Sequence, residues 1–444
     1  MSTLATLPFV RMLQQQGGRV YTVGGTVRDD LLGRPRHDID LLVTGLPQHV
    51  LTRLLRQQGR VQLAGRAFGV IKFFPRCWNG PPIDIALPRT EISTGVGHRD
   101  FDVSFDHTLP IETDLGRRDF TINALAIDLA TGQLIDPFGG RQDLAHHLLR
   151  QVSDQAFPED PLRMLRGVQL AARFVLSVEA TTRQAMQCHA ASIATVAPER
   201  IAEELRKLFQ AHSPAAGFAL MQETGLLRHI LPEIAPDDGD DDQTGETFAR
   251  TLRRVDAVQQ RQELLHQGHI DLLLAALLQD GRRAGETIAA TAEQARFRLE
   301  ALRITMIGAH INRIVSLIRE SRFAPETLTP PAALRHFAYR VGPETTLMLF
   351  DLRLADRLAN APTESPHDLL ALRQRLQHDM AAQTPFSVQA LAINGHDLQR
   401  LGMSPGPHMG QILQRLLYLV LDDPGRNTRP ALMALAQQEM QQHT

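Results

Sequence analysis

Disulfides, membrane spans and lysine are nearly or wholly missing from this 444-residue chain. Cys77 and Cys188 are the only cysteines, which excludes a disulfide-stapled secreted scaffold. The start, Met1-Ser-Thr-Leu-Ala-Thr-Leu-Pro8, has neither the basic region nor the long apolar core of a secretory signal, so a reducing cytoplasm is expected. Apolar runs such as 272–278 and 416–421 fall far short of the roughly 20 residues that cross a bilayer, and no membrane helix is expected. Net charge is also lacking: at -2 the chain is no polycationic nucleic-acid binder, and any RNA contact must come from local patches. Lys72 and Lys207 are the only lysines, so nearly all positive charge is arginine. Its planar fork suits phosphates and base edges, although genome composition explains the same excess.

What remains is an ordinary folding composition, 43% apolar and 22% charged. At roughly 150 residues per domain the length implies about three domains. Residues 19–23, 39–43, 70–74 and 83–87 read as short strands separated by Gly, Pro and Asn. After Ala145 apolar residues recur at helical spacing, as in Leu162, Leu165, Val168 and Ala172, and in Ile201, Leu205 and Leu208. The fold class is therefore α+β, strands first and helices after. The acidic stretch 237–246 has no apolar residue and reads as a boundary rather than a metal site, because its aspartates lack EF-hand spacing.

The chemistry concentrates in the first part. Gly24-Gly25-Thr26-Val27-Arg28-Asp29 follows a strand and opens a helix-compatible segment. The glycines let backbone approach a triphosphate, the helix start offers free N–H groups, and Arg28 could reach a phosphate oxygen. Asp38 and Asp40 are two apart in a strand-like run, so both leave one face while Ile39, Leu41 and Val43 take the other. Two carboxylates presented together suit Mg²⁺ and nucleotidyl transfer. Alone, Asp-x-Asp describes a surface strand end just as well. Asp84 in Ile83-Asp84-Ile85 is either a third carboxylate or a structural residue.

These motifs, with Arg117-Arg118-Asp119-Phe120-Thr121-Ile122-Asn123-Ala124 and Glu159-Asp160-Pro161-Leu162-Arg163-Met164-Leu165-Arg166, closely resemble those of class II tRNA nucleotidyltransferases and bacterial poly(A) polymerases. The resemblance covers about the first 210 residues. It implies a nucleotidyltransferase head with a small mixed sheet at 1–145, a helical neck at 146–235, a helical body at 247–380 and a helical RNA-binding tail at 381–444. It implies Asp38 and Asp40 as catalytic residues holding Mg²⁺, with Gly24, Gly25, Arg28, Arg118, Asp160, Arg163 and Arg166 binding the nucleotide. Gln169 replaces an arginine common in relatives. The implied substrates are the tRNA 3′ end, CTP and ATP, and the product is CCA, its terminal A, or a poly(A) tail. No protein partner is readable.

In the family, the Glu-Asp-x-x-Arg segment lies on a neck helix and reads the incoming base. Asp160 and Arg163, i and i+3, then share one helix face. A carboxylate accepts from the exocyclic amine of C or A while a guanidinium donates to the neighbouring ring nitrogen; G and U present the opposite polarity. Residues 89–114 read as a long mobile loop, which in the family is needed for switching from C to A. Residues 272–282, with Gln279-Asp280-Gly281, are similar to the metal-binding centre of HD phosphohydrolases, but Gln279 and Arg250 stand where histidines belong. An amide and a guanidinium cannot replace imidazoles at a transition metal, and His266, His269 and His310 do not restore the pattern, so an inert HD-like scaffold is expected. Gly406 and Gly410, near a helix start, either admit an RNA backbone or serve helix packing.

Overall fold

The computed structural model describes all residues except 1, 36–37, 65–69, 77, 94–100, 237–241, 262–267, 282–285, 362 and 442–444. The chain divides into two compact units, Met1–Pro232 and Glu233–Thr444.

The first unit carries the strands β1 (Arg19–Val23), β2 (Ile39–Thr44), β3 (Gly59–Ala64), β4 (Val70–Pro75), β5 (Ile83–Ala86), β6 (Arg89–Ser93), β7 (Phe101–Phe105), β8 (Ala126–Asp128) and β9 (Leu134–Ile135). Seven of them form one mixed sheet in the order β3-β4-β5-β2-β1-β8-β9. Its neighbours run antiparallel except β2 and β5, which are parallel and place Asp40 directly beside Asp84. The alternation expected for β2 holds. Ile39, Leu41 and Val43 join Ile71, Phe73, Ile83 and Ile85 in a core covered by Phe9, Val10 and Leu13 of the helix Pro8–Gln15 and by Leu51 and Leu55 of the helix Gln48–Gln58. Each such side chain contributes on the order of 1.5–3 kcal/mol by leaving water. On the opposite face Leu42 packs with Tyr21, Val23, Ile111 and Leu115.

Residues 89–114 are not the long loop expected. β6 and β7 pair as an antiparallel ribbon, and a helix follows at Ile111–Gly116; residues 94–100 lie outside the described ones. β-branched and aromatic residues at alternate positions of Phe101-Asp-Val-Ser-Phe105 favour that pairing over the loop reading.

After the head, the helix Leu162–Phe174 buries Leu162, Leu165, Val168 and Ala172, and the helix Pro198–Phe209 buries Ile201, Leu205 and Leu208, as the spacing predicts. A Cβ at Gly167 would come within 2.6 Å of the Phe120 ring, which is fully buried. The bare backbone of this helix therefore rests directly on the residue after Asp119.

The second unit is helical among its described residues. The apolar run 272–278 lies in the helix His269–Leu278, and every residue of that run is at most 2% exposed, which is how a helix apolar on all sides is accommodated. The helices Asp242–Gln260, Ile311–Glu320 and Pro343–Asn360 belong to the same unit, and Pro407–Asp422 and Arg429–Gln441 pack around Leu416, Leu417, Val420 and Leu432. Of the expected acidic boundary, residues 237–241 lie outside the described ones and the rest begins a helix at Asp242. Gly406 precedes the helix Pro407–Asp422 and Gly410 lies in its first turn. Among the described residues no helix is long and apolar enough to cross a membrane.

Candidate active site

Because β1 and β2 are antiparallel, the end of β1 and the start of β2 meet at one edge of the sheet. The chain leaves β1 through Gly24, whose φ of +65° and ψ of -128° suit only glycine, and enters the helix Gly25–Leu31. A Cβ on Gly24 would also fall 2.4 Å from Nη1 of Arg118, so the glycine makes room for that guanidinium. Thr26 ties the turn to the acidic strand: its hydroxyl accepts from the Asp40 N–H at 2.9 Å and donates to the Asp38 carbonyl at 3.3 Å. Sequence patterning gave no hint of this clasp.

Asp38 is exposed, Asp40 half-buried, and Asp84 flanks Asp40 on the parallel strand. Lys72 pairs with Asp84 at 3.3 Å. Burial pushes the Asp40 carboxyl above the usual carboxylate range; the charge of Arg118 opposes this, those of Asp84 and Asp38 add to it, and Arg166 opposes it again. A carboxylate crowded by two others in a partly dry place is a natural ligand for a cation. Among the described residues no three metal-ligating side chains converge on one point. Mg²⁺ typically takes one or two carboxylates and completes its shell with water and substrate phosphates, so the Asp38–Asp40 pair fits it.

The arginines are held more firmly than the sequence suggests. Arg28, expected to reach a phosphate, is 7% exposed and already engaged: it donates to Asp29 Oδ1 at 2.8 and 2.9 Å and to Asn123 Oδ1 at 2.6 Å, and stacks on the Phe174 ring. Burial lowers its pKa most, with the Asp29 carboxylate opposing. Arg28 thus joins the Gly-Gly turn to the base of the neck helix. Arg118 donates to the Asn123 carbonyl at 3.3 Å and pairs at 3.1 Å with Asp114, a fully buried carboxylate also paired with Arg117 at 2.6 Å. Arg166 projects from the neck helix to Asp119 at 3.1 Å. Asp119 in turn accepts from Asn123 Nδ2 and the Phe120 N–H. Burial alone would raise its pKa, but the Arg166 charge and these donors together hold it below the usual range. Asp119 was legible as part of the Arg-Arg-Asp motif, yet its role as a bridge between Arg166 and Asn123 was not.

Asp160 and Arg163 are not arranged as one helix face. Asp160 is extended, with φ -142° and ψ 98°, and the helix begins two residues later. A residue before proline is driven out of the helical region, and Pro161 follows. Asp160 binds Arg200 of the helix Pro198–Phe209 at 2.8 and 3.3 Å, and its Oδ1 accepts from the Leu162 N–H. Arg163 donates to the Ala156 carbonyl and to Glu159, both at 3.2 Å. Arg200, 40 residues away, had no signal in the local pattern. Gln169 is buried, 3% exposed, within the neck helix.

Known proteins resemble this chain in both sequence and fold. Residues 20–150 match the family described as "Poly A polymerase head domain", residues 176–238 the "Probable RNA and SrmB- binding site of polymerase A", and residues 313–436 a "tRNA nucleotidyltransferase domain 2". The CCA-adding enzyme of Latilactobacillus sakei is 31% identical over 436 residues, 97% of this chain and 96% of that protein. The chain belongs to the CCA-adding tRNA nucleotidyltransferase family. The fold is also that of the Bacillus stearothermophilus CCA-adding enzyme crystallised with CTP (TM-score 0.74, 24% identity, 99% of this chain and 98% of that one). The Thermotoga maritima CCA-adding enzyme complexed with tRNA shares it too, at a TM-score of 0.64 and 22% identity over 97% of this chain and 93% of that one. As a tRNA nucleotidyltransferase, this family member carries the Gly-Gly turn, the acidic strand and the neck arginines within one compact unit.

Proposed function

We propose that this enzyme builds the complete CCA end of tRNA from CTP and ATP in the cytoplasm. The observation that carries the reading is the Asp38–Asp40 pair clasped by Thr26 to the Gly-Gly turn, in a chain similar to a CCA-adding enzyme over 436 residues. The tRNA 3′-oxygen forms a bond to the α-phosphorus, the bond to the β-phosphate breaks, pyrophosphate leaves and the hydroxyl proton goes to solvent. Mg²⁺ bound by Asp38 and Asp40 would acidify the attacking hydroxyl and offset charge on the leaving group. The backbone at Gly24 and Gly25 gives the triphosphate close access, and the Arg118 and Arg166 guanidinium groups supply positive potential. Arg28 acts from behind, holding the turn against Asn123.

Base choice falls to Asp160 and Arg163 once Asp160 exchanges Arg200, and Arg163 exchanges Glu159, for the edge of C or A. Asp160→Ala then blurs selectivity, measured as GTP and UTP misincorporation; unchanged selectivity would assign Asp160 to capping alone. The overall reading is tested by extending three tRNAs, ending before CCA, after C and after CC, with Mg²⁺ and CTP, ATP or both. Stepwise completion on all three is expected. A single A added only to the CC-ended substrate would instead identify an A-adding specialist, and a long ladder with ATP alone a poly(A) polymerase.

A further inference from the structure

The second unit contains a pocket of about 440 Å³ where the sequence resembles an HD metal centre. Its floor is Arg254, 1% exposed. That guanidinium lies between Asp280, 2.6 Å away, and Asp356, 2.7 Å away, and also donates to the Ala276 carbonyl. Gln279, its amide oriented by the hydrogen-bond network, points its oxygen at the same group, 2.7 Å from Nε. A built-in cation therefore bonds both carboxylates of this cluster, its single charge balancing one of the two. Burial would raise the Asp356 pKa, but the Arg254 charge and bond, Asn360 and Arg353 keep it below the usual range, so it stays ionised against its partner.

Three more arginines line the same pocket, and their donors are poorly used. Arg322 reaches Asp280 only at 3.8 Å, and Arg353 reaches Asp356 only at 4.0 Å. The Nε of Arg353 is buried without a hydrogen-bond partner. Arg250 has no ion pair among the described residues, and the buried Ser321 adds a hydroxyl to the lining. Four guanidinium groups thus face two carboxylates, both of them already bonded to Arg254. The surplus is two positive charges around a recess the size of a small metabolite, with planar forks that match phosphate oxygens.

We infer that this pocket is a binding site for the dianionic phosphate of a small phosphomonoester, in which Arg250, Arg322 and Arg353 hold the phosphate and Arg254 substitutes for a metal. It binds without hydrolysis, since Arg254 occupies the space between the two carboxylates and the lining offers Gln279 and Arg250 rather than imidazoles to hold a metal that would activate water. A phosphodiester backbone, with one charge per phosphate, matches the surplus less well. The site is independent of the nucleotidyl transfer proposed above.

The test is calorimetric titration of the full-length protein, without Mg²⁺, using ribose 5-phosphate as probe, ribose as uncharged control and a short hydroxyl-ended RNA as phosphodiester. Saturable binding of ribose 5-phosphate alone is expected. It should persist in Arg118→Gln, which alters the head, and weaken at least tenfold in the double variant Arg250→Gln/Arg322→Gln, whose tRNA extension rate stays at the wild-type level. Three outcomes overturn the inference: no binding of ribose 5-phosphate, binding lost in Arg118→Gln but kept in the double variant, or binding of the RNA in preference to the monoester. Both substituted arginines are exposed or largely so, and Arg254 is left in place, so folding is preserved and is checked by circular dichroism.

Discussion

Asp40 in the sheet and Asp280 in the helical unit are both carboxylates partly withdrawn from water, but only the second has a guanidinium built against it. Burial raises the proton affinity of Asp40, the charge of Arg118 opposes the rise, Asp84 and Asp38 add to it, and Arg166 opposes it again. Asp280 and Asp356 share Arg254 at 2.6 and 2.7 Å. An acidic cluster left short of positive charge keeps a demand for an external cation and stays fit for catalysis. One that has acquired its own cation no longer needs a metal, and the energy that metal binding would supply comes instead from a covalently attached side chain.

The contrast can be broken at either end. Asp40→Ala should give the largest effect, a loss of roughly a thousand-fold in nucleotide addition, equivalent to several kcal/mol of lost charge stabilisation, with tRNA affinity intact in a filter-binding assay. Retained addition would mean Asp40 is not the demanding carboxylate. Arg254→Met acts on stability instead: it strands two carboxylates and should cost about 3–5 kcal/mol in urea unfolding of the second unit. Adding Asp280→Asn and Asp356→Asn should recover much of that loss, and a single substitution without effect would show that the guanidinium is not the internal cation. Gly24→Ala sharpens the head side, because it strains the backbone and displaces Arg118, the guanidinium whose charge most opposes the rise at Asp40, at a cost of about 1–3 kcal/mol in thermal unfolding.

The smallest effect concerns a carboxylate satisfied by neutral donors. Glu179 caps the helix Ala180–His189, accepting from the Thr181 hydroxyl and from the N–H and hydroxyl of Thr182. Burial works against its charge, but those donors prevail and lower its pKa to about 2. A depressed folded-state value means the contribution is complete above the unfolded value near 4.5 and disappears as pH falls toward about 2. Glu179→Ala should therefore lower stability by about 1 kcal/mol at pH 7, with the difference from wild type closing across that acid window in thermal melts.

Local rules carried the reading of the chain as far as local rules reach. Period-two alternation identified β2 and assigned Ile39, Leu41 and Val43 to one core, and the 3.6-residue spacing located both neck helices. β3 escaped because Gly59-Arg-Val-Gln-Leu-Ala64 has little β-branched character and only pairing with β4 makes it a strand. The extended backbone of Asp160 was in principle readable from Pro161, but the i,i+3 spacing masked it. The motif residues were visible as chemistry; their bonding was not. Arg28 to Asn123 spans 95 residues and Arg254 to Asp356 spans 102, and no spacing rule within one element anticipates such partners.

The Thr26 clasp joins the two surfaces that serve one substrate in the proposed mechanism, the Gly-Gly turn and the strand bearing the acids. Two bonds to one hydroxyl leave turn and strand little freedom to drift apart, so the wait for both to align is shortened before any ligand arrives. Valine at this position would match the shape and remove the hydroxyl, converting a single rigid body into two hinged ones. The loss would appear as a slower chemical step with nucleotide affinity largely kept, the signature of an enzyme that still finds its substrate but must search for its own geometry.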